Sequence, residues 1–115
     1  MVIQVPDING QPFEVCFQTP GTPTDRSGTI NNTGASQTLM DVVATGLIRS
    51  GWIVQNKSQS GNTMVINDIG DPADTSPSSV QLAPGETWPP TGYPVTQGVI
   101  TIAGQAGDNY MAREW

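Results

Sequence analysis

Glycine and proline punctuate this chain from end to end: thirteen glycines and ten prolines are spread through 115 residues. Proline removes a backbone donor and glycine frees the backbone from steric restraint, so both tend to end regular elements. They follow no three-residue period, which excludes a collagen-like repeat and points to short segments joined by many turns. Hydrophobic residues make up 36% and aromatics 6%. That supply suits one domain with a modest core, stabilised further by association with copies of itself or with a partner.

Between the breakers the local pattern is extended. Val2, Ile3 and Val5 form a β-prone run, Asp7-Ile8-Asn9-Gly10 supplies a turn, and Phe13, Val15 and Phe17 alternate with polar or small neighbours. Residues 1–20 are therefore read as an N-terminal arm or β-hairpin, which must dock on something because two strands alone are marginal. The stretch TPGTPTDRSG holds little that packs, so residues 21–28 are read as a linker and 29–115 as the main domain.

In the main domain, Thr29-Ile30, Gln37–Met40, Gly51–Asn56, Thr63–Asn67, Ser79–Leu82 and the group Val95, Val99, Ile100 and Ile102 read as strands. The segments at 51–56 and 63–67 are expected to pair as a hairpin. Ala83-Pro84-Gly85-Glu86 has the proline-then-glycine centre of a type II turn. Asp41 to Ile48 holds the one arguable helix, but Val42, Val43, Thr45 and Gly46 fit a loop or strand pair equally well. Short strands at near-regular spacing, with no helix–strand alternation, give an all-β fold: a compact antiparallel sandwich or barrel, jelly-roll-like, with an extended arm.

The chain has no histidine and a net charge of −6. The usual general base, the common triads and most zinc sites fall away together. Lys57, Arg26, Arg49 and Arg113 are too few and scattered for a phosphate-driven surface, so neither nucleic acid nor an anionic membrane is an expected partner. The single cysteine, Cys16, lies in an alternating strand and reads as a small core hydrophobe rather than a nucleophile. Asn67, Asp68, Asp71 and Asp74 could bring oxygens together for calcium, but the spacing misses the EF-hand pattern and a solvated acidic loop is the better reading. No catalytic, cofactor or metal residue is assigned, and the chain is expected not to be an enzyme. The start lacks the basic and long apolar regions of a signal peptide, and no apolar run is long enough to span a bilayer, so synthesis in a cytoplasm without export is expected.

Aromatic residues give the remaining candidates. Trp52, in the strongest strand, is expected in the core. Trp88 and Tyr93 flank a proline loop and suit surface contact, and Tyr110, Arg113 and Trp115 suit a contact at the C-terminus. With the arm residues Val2, Ile3, Val5, Phe13, Val15 and Phe17, these form the expected partner-binding set.

From Arg26 onward the chain resembles a family of small virion proteins of tailed bacteriophages. The matching pieces are Ser27-Gly28-Thr29-Ile30, Thr33-Gly34-Ala35-Ser36-Gln37-Thr38-Leu39, Gly51-Trp52-Ile53-Val54-Gln55-Asn56, Leu82-Ala83-Pro84-Gly85 and Ala112-Arg113-Glu114-Trp115. The resemblance implies a capsid decoration (cement) protein or head-fibre base with a compact β-fold, bound to the major capsid protein, often as a homotrimer, and located on the virion after synthesis in the host. A tail- or head-fibre attachment module and a carbohydrate-binding β domain are the alternatives.

Overall fold

The computed structural model describes residues 2–6, 12–16 and 23–115, with side chains described from residue 23 onward. The described residues contain eleven strands and no helix. β1 (Val2–Pro6) and β2 (Pro12–Cys16) pair antiparallel as a two-stranded sheet of their own. The turn expected at Asp7–Gly10 and the arm residue Phe17 lie outside the described residues.

The main domain is a β-sandwich of two antiparallel sheets. One has the order β5-β10-β7-β8, from β5 (Gln37–Met40), β10 (Ile100–Ala103), β7 (Met64–Asn67) and β8 (Val80–Leu82). The other runs β3-β11-β6-β9, from β3 (Thr24–Asp25), β11 (Asn109–Glu114), β6 (Trp52–Asn56) and β9 (Thr87–Trp88), with β4 (Gly28–Thr29) also paired to β11. Period-two alternation selects the inner faces: Trp52, Val54, Tyr110 and Ala112 from one sheet meet Leu39, Met40, Met64, Ile66, Leu82, Ile100 and Ile102 from the other.

Several sequence expectations need correction. β6 and β7 do not pair as a hairpin; they lie in different sheets. Both strands alternate apolar residues, and a turn of the sandwich at residues 57–63 lets those residues face each other across the core. The linker ends earlier than expected, because Thr24-Asp25 and Gly28-Thr29 are edge strands on β11. Such strands need backbone partners rather than apolar side chains, which is why composition hid them. Between them Arg26 donates its N–H to Ala112 O at 2.7 Å, and the Ser27 hydroxyl accepts the Ala112 N–H at 3.0 Å.

Residues 41–50 form a loop, with Gly46 in the left-handed region at φ 85°. β10 begins only at Ile100, so Val95 and Val99 belong to the loop before it. Ala83–Glu86 is the expected turn: Glu86 donates to Ala83 O at 3.0 Å and Gly85 takes φ 86°.

Candidate functional site

Strand direction sorts the connections onto two ends of the sandwich. At the arm end lie the entry to β3, residues 41–50, 68–79 and 89–99, and the C-terminal Trp115. At the far end lie residues 30–36, 57–63, 83–86 and 104–108. Every exposed large hydrophobic side chain among the described residues sits at the arm end: Val42, Leu47, Ile48, Ile69, Tyr93, Val95 and Trp115. The first four are 64–68% exposed. Scattered apolar exposure is ordinary; here, among the described residues, it is confined to one end of a lean-cored domain.

This surface is built on Arg49, a residue the sequence reading did not select. Arg49 is 3% exposed. Its guanidinium donates to the carbonyls of Thr96 at 2.8 Å, Gly98 at 3.0 Å and Asp41 at 2.8 Å, and its Nε lies 3.5 Å from Glu114 Oε1. The Gln97 side chain brackets the Arg49 backbone, accepting its N–H at 2.6 Å and donating to its carbonyl at 2.8 Å. One buried cation thus holds the loop before β10 against the loop after β5, satisfying carbonyls that the absence of a ladder would leave unpaired.

On one side of this clamp, Val42, Val43, Leu47, Ile48 and Trp115 line a hollow of about 350 Å³, with Arg26 at its rim. Trp115 is fixed despite ending the chain: its backbone exchanges hydrogen bonds with Gly51 at 3.1 and 3.2 Å, and its ring lies where a side chain at position 51 would have to stand. Arg26 pairs with Glu114 at 2.9 Å, an exposed contact of small energetic weight.

On the other side, Ile69, Tyr93, Val95 and Thr96 border a second hollow of about 280 Å³. Trp88 and Tyr93 meet edge to face at 4.9 Å, and the Trp88 indole donates to Asp68 at 3.2 Å. The Asp68 carboxylate also raises the pKa of the Tyr93 phenol, chiefly because its charge opposes a second negative charge beside it. The oxygens once considered for calcium serve the loop itself: Asn67 Oδ1 accepts the Ile69 and Asp71 N–H groups, and Asp71 Oδ2 accepts the Ser76 hydroxyl. Asp74 is exposed.

The expected partner-binding residues are therefore dispersed. Tyr93 and Trp115 are exposed at the arm end, and Trp88 is half-buried beneath Tyr93. Arg113 is exposed on β11, opposite Asp25 and Ile53. Tyr110 is a correction: it is a core residue, 7% exposed, with its hydroxyl end against Gly28. Its place in the strand alternation, two residues before the buried Ala112, was the available signal. In the arm, the register sets Ile3 opposite Val15, Val5 opposite Phe13 and Val2 opposite Cys16. The sequence reading missed Val42, Leu47, Ile48 and Ile69 as surface residues because no period distinguishes an exposed apolar loop from a buried one.

Comparisons with protein-family models, with curated proteins and with solved structures return no match.

Proposed function

We propose that the chain is a structural virion protein that binds the outside of a bacteriophage capsid and stabilises it as a decoration (cement) protein, with the major capsid protein as its partner and a homotrimer as its assembly. The observation that carries this reading is the gathering of exposed apolar side chains at the end where β3 enters the sandwich. A small domain that must stay on a large shell needs a desolvated contact patch and a segment that can add strands to a neighbour. The low share of charged residues, 12%, favours close polar packing over long-range steering.

Binding rather than catalysis is the role that this arrangement supports. The polar groups at the arm end hold loops: Arg49 engages carbonyls, Asn67 engages backbone N–H groups, and Asp68 engages an indole. The resemblance to phage virion proteins supplies the kind of shell, and the residues supply the contact chemistry.

The test is co-sedimentation of purified protein with capsids of the phage that encodes it. Deleting residues 1–20 is expected to abolish binding while circular dichroism still reports the β domain, whose core begins at Ile30. Undiminished binding would remove the arm from the account. Many copies per particle are expected on a shell, whereas a few per particle would point to a fibre.

A further inference from the structure

The second hollow holds an unbalanced charge. Asp68 is 8% exposed and lines it together with Ile69, Tyr93 and Val95. Among the described residues its carboxylate accepts one direct hydrogen bond, from the neutral Trp88 indole to Oδ2 at 3.2 Å, and no cation pairs with it. The Tyr93 phenol beside it feels that charge and holds its proton more tightly. A carboxylate this far from water is ordinarily matched by a cation or by several donors.

The chain itself has no cation to spare. Its four cationic side chains are Arg26, Arg49, Lys57 and Arg113. Arg26 pairs with Glu114, and Arg49 is spent on Glu114 and three loop carbonyls. Arg113 stands opposite Asp25, and Lys57 lies in the turn at the far end. A second copy carries the same net charge of −6 and the same committed arginines, so the match must come from a different molecule.

The surroundings select the kind of cation. No group of three metal-ligating side chains occurs among the described residues, so an inorganic ion would find too few ligands. Ile69 and Tyr93 are 64% and 37% exposed, and with Pro94 and Val95 they offer apolar surface to an aliphatic stem. An aromatic ring and a carboxylate bordering one hollow suit a planar guanidinium. It stacks on the one, donates to the other and is more weakly hydrated than an ammonium. The geometry points to an arginine side chain on the surface of a partner protein as the occupant: its guanidinium pairs with Asp68 beside the Tyr93 ring, and its stem lies along Ile69 and Val95. This recognition needs no particular shell and stands apart from the capsid-binding reading above.

The experiment uses the purified full chain and capped amino acids, followed by NMR at the Trp88 indole N–H and the Tyr93 ring. N-acetyl-arginine methylamide is expected to give saturable shifts at both groups, and the lysine counterpart weaker ones. The citrulline counterpart, neutral but similar in shape, is expected to give none. Asp68→Asn is expected to remove the arginine response while circular dichroism stays that of the unmodified chain. Tyr93→Leu, which leaves the carboxylate in place, is expected to weaken the response at Trp88. No saturable shift with arginine, an equal response to citrulline or lysine, or an arginine response undiminished in either variant would overturn the proposal. Methylguanidinium binding as tightly as the arginine compound would overturn the protein partner, since the stem would then contribute nothing.

Discussion

The two ends of the sandwich solve the same problem differently. Each must tie together loops that leave opposite sheets, and each does so through one buried polar side chain. At the far end this is Asn56, fully buried, which donates to the carbonyls of Asn62 and Leu82 at 2.8 Å each and accepts the Ser58 N–H at 2.8 Å. Asn62 in turn donates to Asp108 at 3.0 Å, so three connections close into one polar network. The loops around it are short and polar, and no large hydrophobic side chain is exposed there among the described residues. At the arm end Arg49 does the tying, over longer loops that leave Val42, Leu47, Ile48, Ile69 and Val95 facing outward. Exposing aliphatic side chains of this size forgoes roughly 1.5–3 kcal/mol each relative to full burial. Stability alone accounts for the far end, whereas the arm end carries the exposed apolar surface on which the proposed binding role rests.

The largest expected effect follows from this difference in chemistry. Arg49→Met removes the donor set shared by the Thr96, Gly98 and Asp41 carbonyls, and it is expected to cost about 3–5 kcal/mol by chemical denaturation. Asn56→Leu removes a neutral network and is expected to cost less, about 1–3 kcal/mol. Equal losses would break the contrast between a charged clamp and a neutral one.

A smaller effect sharpens the picture of the second hollow. The Tyr93 phenol is expected to ionise above the ordinary tyrosine range because the Asp68 carboxylate opposes it. The folded chain then holds this proton more tightly than the unfolded chain. The group therefore leaves stability unaffected below the usual phenol pKa and weakens it as pH rises through that value. Asp68→Asn is expected to return the Tyr93 titration, followed by NMR of its ring, toward the usual range. A titration that stays put would separate Tyr93 from Asp68.

Much of the fold was legible because burial leaves a period. Trp52, Val54, Met64, Ile66, Ile100 and Ile102 alternate, and turn residues such as Pro84-Gly85 mark where strands stop. Strand partners were not legible. Alternation says that a face is buried without saying whose face covers it, so β6 and β7 looked like a hairpin although they stand in opposite sheets. The edge strands at Thr24-Asp25 and Gly28-Thr29 were hidden because their contribution is backbone pairing.

The exposed apolar surface at the arm end was half legible for a related reason. Tyr93 and Trp115 could be named because aromatic residues beside a proline loop or at a terminus suggest contact. Leu47 and Ile48 could not, since exposure of an aliphatic residue depends on which loops fail to cover it. Arg49 looked like any surface cation, and only the carbonyls converging on it reveal a buried clamp.

The central claim is that the arm end, not the far end, is the binding end. It is tested most directly by comparing two double variants that each add two negative charges, in equilibrium binding to capsids of the parent phage. Val42→Asp with Leu47→Asp alters the arm end, and Asn32→Asp with Gln59→Glu alters exposed positions at the far end. The account predicts that the first pair weakens binding at least tenfold, about 1.4 kcal/mol or more, while the second leaves it unchanged. Equal weakening by both pairs, or by neither, would contradict it.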